Sequence, residues 1–269
     1  MSLISVYGSF IRNAFLKMLA YRARYYTGIA TYLFFVAVYY FIWQAIFAGK
    51  PEGYRISGYT LPEMLTYVSV GWIARSFYFS NIDDEMDDLV RSGQISVYLL
   101  RPVNFQAMMI FQAVGEALFR ITFFSLPVGA VILLCFPINP PPSSADFLLF
   151  ALSTALGFLT MASINFLVGL LAFYFKSVDG IMRAKYNLIN LFSGLLLPLS
   201  FLPDWLRVAM EVLPFKSIAY VPLNFYLGKV PPEQIGSVLA GEFAWAFGLL
   251  AAGMILWTRA ASRLTLQGG

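Results

Sequence analysis

The run FQAMMIFQAVGEALFRITFFSLPVGAVILLCF, from Phe105 to Phe136, holds only two charged residues, Glu116 and Arg120. Its apolar side chains are continuous and show no period of two, so it does not read as a barrel strand. A helix needs about 20 mostly apolar residues to cross the hydrocarbon layer, and this run leaves length over for tilt or projection. It predicts an all-α integral membrane protein. Five further runs match it: Tyr26–Phe47, Leu61–Ile82, Phe147–Phe175, Ile181–Leu197 and Ile235–Trp257. The expectation is therefore six transmembrane helices.

Composition agrees. Of 269 residues, 59% are hydrophobic, 17% aromatic and 12% charged, about half the charge of a soluble domain. The chain has no histidine and one cysteine, Cys135, within an apolar run. That excludes His- or Cys-based metal sites, haem ligation, disulfides within the chain and His-dependent catalysis. No cofactor is expected on this chain. The net charge of +4 is read as basic anchors of cytoplasmic loops facing membrane lipids, not as a nucleic-acid site.

Lys and Arg near the span ends orient the helices. With both termini inside, the cytoplasmic segments hold eleven: Arg12, Lys17, Arg22, Arg24, Arg91, Arg101, Lys176, Arg183, Lys185, Arg259 and Arg263. The external segments hold five: Lys50, Arg55, Arg207, Lys216 and Lys229. Residues 1–25 do not read as a cleavable signal, because Arg12 and Lys17 interrupt any apolar centre. Ile4, Tyr7, Ile11, Phe15 and Met18 instead make one face of an amphipathic interfacial helix, with Arg12, Asn13 and Lys17 opposite. Residues 26–269 then form a single six-span domain.

Two connections carry candidate mechanism. The cytoplasmic loop 82–102 opens with Asp83, Asp84, Glu85, Asp87 and Asp88. Acids suit the first turns of a short helix, Gly93 suits its end, and Met86, Leu89 and Val90 give it an apolar stripe. Pro102 is expected to set the start of the next helix. The acids read as a solvated face or as a docking surface for a cytoplasmic protein; a divalent-metal site lacks converging groups. The external connection 197–232 is broken by Pro198, Pro203 and Pro214. Asp204 is placed to cap a short helix with Arg207 and Glu211 one turn apart, and Trp205 suits the interface.

These two loops carry a resemblance. Arg91-Ser-Gly-Gln-Ile-Ser-Val-Tyr-Leu-Leu-Arg-Pro102, and Leu213-Pro-Phe-Lys-Ser-Ile-Ala-Tyr-Val-Pro-Leu-Asn-Phe-Tyr-Leu-Gly228 after Pro203-Asp-Trp205, resemble segments of ABC-2-type transporter permeases. The subgroup was formerly listed as a domain of unknown function. The resemblance implies an exporter of two permeases, identical or merely similar, and two cytoplasmic ATPases in the bacterial inner membrane. It also implies a coupling helix near Asp83 to Gln94, including Leu89, Arg91, Ser92 and Gly93, and short external helices near Leu197 to Leu213. Independently, no G-x-x-x-x-G-K-[ST] phosphate loop is present. ATP and magnesium would thus belong to a separate subunit.

Ionisable groups inside spans are costly and invite a functional hypothesis. Arg75 lies near the inner end of span two, and Glu116 and Arg120 lie one turn apart on span three. Glu116 is expected to pair with Arg120, Arg75 or both, and is taken as the one strong midspan acid. Asn165, Asn187 and Asn190 are read as interhelical hydrogen-bond residues, with Gly157, Ser163 and Gly169 allowing close packing. The aromatics read as interfacial belts and packing, or as a slot for apolar cargo. Alternatives are an ion-driven secondary carrier, disfavoured by the lack of a repeat, or a structural membrane subunit.

Overall fold

The computed structural model describes residues 3–21 and 23–264, with side chains from 4–21 and 28–262. The basic anchors Arg22, Arg24 and Arg263, and Tyr25 and Tyr26, lie outside the described side chains. In chain order the helices are α1 (Leu3–Ala20), α2 (Ala23–Phe47), α3 (Leu61–Tyr78), α4 (Ile82–Arg91), α5 (Ile95–Leu99), α6 (Phe105–Arg120) and α7 (Leu126–Cys135). They continue with α8 (Ser144–Gly169), α9 (Asp179–Phe192), α10 (Asp204–Val212), α11 (Tyr220–Tyr226) and α12 (Pro232–Leu264). No strand occurs among the described residues, only the single bridge Ile56–Tyr59.

Four segments are long and apolar enough to cross a membrane: Gly28–Phe47, Phe105–Cys135, Ser144–Phe173 and Pro232–Ser262. The other two expected spans correspond to α3, which carries Glu63 and Arg75, and to α9, which is 14 residues long. Their polarity and length keep them out of that group.

The long third span is α6 and α7 joined by a π turn, Ile121–Ser125. Pro127 follows at the second position of α7 and has no N–H to donate to the preceding turn. The wider turn absorbs that missing bond without ending the helix.

Helix starts follow local side-chain chemistry. Thr60 N donates to Glu63 Oε2 at 2.8 Å before α3, and Asp146 N donates to Ser143 Oγ at 3.1 Å before α8. Pro102 does not begin α6; Asn104 does, its Oδ1 accepting from Ala107 N at 2.8 Å. Likewise Asp204 is the first residue of α10 and Pro203 occupies the cap position. Arg207 pairs back to Asp204 at 2.8 Å, not forward to Glu211.

In lipid, apolar surface alone does not drive helices together, so close backbone approach and polar contacts decide packing. Helix α8 touches α3, α4, α6, α11 and α12. A Cβ on Gly157 would sit 2.6 Å from Ser217 O, and one on Gly169 would sit 2.7 Å from Met86 Sδ. Glycine at these two points lets the broken external connection and α4 lie directly on α8.

Candidate coupling and pathway site

Helix α4 has two chemically different faces. Met86 and Leu89 are buried against α8, and Val90 packs with them. Asp83 and Asp87 are buried on this side as well, 2% and 4% exposed. The acids are therefore not one solvated run. Only Asp84 and Asp88 are exposed, together with Arg91, Ser92, Gly93 and Gln94, while Glu85 is half-buried. Gly93, at φ 72°, ends the helix in a conformation that side-chain-bearing residues rarely adopt. Arg91 reaches back to Asp87 at 3.3 Å.

The inward acid is neutralised within the chain. Lys185 on α9 donates to Asp83 and, at 2.7 Å, to Asn165 Oδ1 on α8. Asn165 Nδ2 donates to Ser80 O at 2.7 Å and Ser80 Oγ at 2.8 Å. One network thus joins α4, α8, α9 and the end of α3. Asn165 is fully buried, and its two donors and one acceptor are all used.

Arg120 also works across helices. It pairs with Glu116 at 3.3 Å, donates Nε to Ser76 O at 2.8 Å and Nη2 to Phe79 O. These carbonyls lie at the last turn of α3, where helical partners run out. Arg75 does not join Glu116. Its Nη1 donates to Asn190 Oδ1 and its Nη2 to Tyr186 OH, each at 2.9 Å. Asn187 is exposed beside them.

Two cavities flank the α3–α4 junction. One of about 440 Å³ lies toward α9, with Asp83, Arg183, Lys185, Tyr186 and Asn187 in its wall. The other, about 880 Å³, lies toward α1 and α2, with Lys17, Glu85, Glu116, Arg120 and Phe124 in its wall. Lys17 stands 3.8 Å from Glu85. Burial pushes the Glu85 carboxyl above its ordinary range, and the Glu116 charge adds to the shift. Asp84 is raised by burial and by the neighbouring acids, Asp83 first.

The external pieces sit on proline breaks: Pro198 before the turn Leu199–Phe201, Pro203 before α10, and Pro214 opening Pro214–Ser217. Trp205 is 74% exposed and Glu211 is exposed. Lys229 Nζ bonds Glu63 Oε2 at 3.0 Å and Gly58 O at 2.9 Å, and Tyr59 OH donates to Asn224 Oδ1 at 2.7 Å. These bonds join the loop before α3 to α11.

Sequence reading missed three participants. Lys185 and Ser80 were visible only as a loop charge and a small polar residue, because their partners are remote in sequence. Glu242 is a second intramembrane acid, so Glu116 does not stand alone. It is 2% exposed on α12 and accepts from Ser153 Oγ at 2.7 Å. An acid within the apolar run of span six was the signal that could have found it.

Long apolar helices, buried polar links between them and an acid-faced short helix at one end define a multi-pass helical membrane protein. Residues 33–268 match the family described as ABC-2 family transporter protein, and the chain belongs to it. It is accordingly a membrane permease of an ABC transporter, a component that is generally non-catalytic. No curated protein matches the chain.

Proposed function

We propose that this chain forms half of the translocation pathway of an ATP-driven exporter. The full assembly would contain a second permease, similar or identical, and two cytoplasmic ATPase subunits holding ATP and magnesium. In this reading the chain crosses the bacterial inner membrane six times, with α3 as a shorter span shielded by neighbours and α9 as a shorter span whose outer face stays exposed. Helix α1 lies at the inner interface, both termini are cytoplasmic, and α10 with its flanking turns lies on the outer side.

The observation that carries the reading is the split character of α4. Asp84, Asp88, Arg91, Ser92 and Gln94 face outward, while the opposite face is locked to α8 and, through Asp83, to α9. A force applied to the outer face by an ATPase would pass to two membrane helices. The absence of a phosphate loop in the chain supports a separate source of ATP energy.

The test is co-purification after expression with the genomic neighbours. An ATP-hydrolysing subunit is expected to copurify, and Asp84→Lys with Asp88→Lys is expected to release it. If no ATP-hydrolysing subunit is retained by the wild type, the reading fails. An ion-driven carrier is the second reading, favoured by one observation: Glu242 is a buried acid with no ion-pair partner among the described residues.

A further inference from the structure

Three features that weaken a helix meet between Ile121 and Pro127 of span three. The π turn Ile121–Ser125 closes with Leu126 N donating to Ile121 O, five residues back. Thr122 Oγ1 donates to Leu118 O at 3.0 Å, a back-bond of the kind that bends helices. Pro127 has no N–H to give to the turn before it. Sharp bends in helices arise at such places.

The two sides of this turn are held unequally. Helix α6 touches α1, α3, α4, α8 and α12. Gly115 brings its backbone against that of Ile11, Phe105 stacks on Trp257 at 4.3 Å, and Arg120 bonds the Ser76 and Phe79 carbonyls. Beyond the turn, α7 touches α2 and α3 and leaves Leu126, Leu133 and Leu134 exposed. One polar contact pins the turn itself. Ser76 Oγ gives its proton to Ile73 O at 2.7 Å, so Ser125 Oγ is the donor in the bond between the two hydroxyls.

The turn also closes a space. In the wall of the 880 Å³ cavity, Glu116, Arg120 and Phe124 follow one another away from α4. Along α3, likewise, Ser76 lies farther from α4 than Phe79. Phe124 packs edge-on against Tyr32, with 4.7 Å between ring centres. That contact and the Ser125–Ser76 bond shut the end of the cavity farthest from α4.

We propose that span three is hinged between Ile121 and Pro127. Helix α6 stays seated in the bundle while α7 swings, and the swing parts Phe124 from Tyr32 and opens the closed end of the cavity. The inference rests on the permease reading for its purpose, since a translocation pathway needs such an opening. Helix α7 has 10 residues, so a change of about 20° in the bend moves its far end by about 5 Å.

The test is a pair of nitroxide distances, measured by pulsed electron paramagnetic resonance on the full chain in phosphatidylcholine nanodiscs. The first pair joins Cys135, the exposed last residue of α7, to Ser237→Cys on α12. The second, in Cys135→Ser, joins Leu118→Cys on α6 to Thr258→Cys on α12. The first distance should show two peaks about 5 Å apart, and the second a single peak. Ser125→Ala removes the pin without stranding Ser76. It should raise the ratio of minor to major peak about fivefold, the effect of one lost hydrogen bond. Thr122→Val with Pro127→Ala should merge the two peaks into one, and the second pair should stay unchanged throughout.

A single narrow first distance in both wild type and Ser125→Ala overturns the proposal. So do two peaks that survive in the Thr122→Val, Pro127→Ala variant. Broadening of the second pair alongside the first would mark a loosening of the whole bundle and also overturns it. If Ser125→Ala does not fold, wild type against the double variant still decides. No ATPase takes part in this measurement. Failure here therefore leaves the permease reading standing, and failure to copurify an ATPase leaves this result standing.

Discussion

The Lys185 ammonium donates to the Asp83 carboxylate, joining α9 to α4 across 102 positions of sequence. Both side chains are largely buried, 12% and 3% exposed. Removing one partner leaves the other charged and unsatisfied. Asp83→Asn or Lys185→Met should each cost about 3–5 kcal/mol. The double variant should cost less than the sum of the two, and thermal unfolding of all three in detergent checks both statements.

Gly115 sets how closely α1 lies on α6. A Cβ there would fall 2.2 Å from the Ile11 carbonyl oxygen, and backbone cannot swing aside as a side-chain tip can. Gly115→Ala should therefore destabilise by about 1–3 kcal/mol and loosen α1. Faster proteolysis within residues 3–20, with later cuts unchanged, is the expected signature.

Glu85 faces Lys17, Glu116 and Asp88 among the described residues, and its folded-state pKa is raised, by burial first. A raised carboxyl means that the folded state holds the proton more tightly than the unfolded chain. Its contribution to stability therefore falls as pH rises from the ordinary carboxylate range through the folded-state value, and stays low above it. Glu85→Gln should melt higher than wild type at neutral pH, with the difference closing as pH is lowered into that range. A constant difference across the titration contradicts this.

Glu116 and Arg120 form the pair that seats α6 against the last turn of α3. Glu116→Ala removes the carboxylate that pairs with Arg120. It should reduce transport or complex yield more than Glu52→Ala, a change at an exposed external residue. Wild-type transport and yield in the Glu116 variant would rule this out.

Glu242 separates the two functional readings. Glu242→Gln keeps an acceptor for Ser153 and removes the titratable proton. An ATP-driven permease should tolerate it with near-normal transport, whereas Glu242→Leu strands the buried Ser153 hydroxyl at a cost of about 1–3 kcal/mol. Abolished transport in a stably folded Glu242→Gln would favour the ion-driven carrier.

Much of the architecture was legible in the sequence because bilayer constraints act on short windows. The runs at Tyr26–Phe47, Phe105–Phe136, Phe147–Phe175 and Ile235–Trp257 reappear as the four long apolar segments. Gly93 and the acid-rich first turns marked α4 with the same local logic. Caps were less legible: Asn104 and Pro203 hold positions that Pro102 and Asp204 were expected to define. Several residue types satisfy the same turn, and only the backbone path selects among them.

The sequence by itself determined the class of protein, since so few charges over such long apolar runs leave no soluble alternative. It also determined that no phosphate loop is present. The tertiary structure alone decided which charges meet. Asp83 turned inward to Lys185 while Asp84 stayed outside, and Arg75 went to Tyr186 and Asn190 instead of Glu116. The reason is physical. Burial in lipid is a property of a segment and is written in consecutive residues. A buried ion pair or hydrogen bond is a property of two helices brought into contact, and the partners of the two here lie 102 and 115 positions apart.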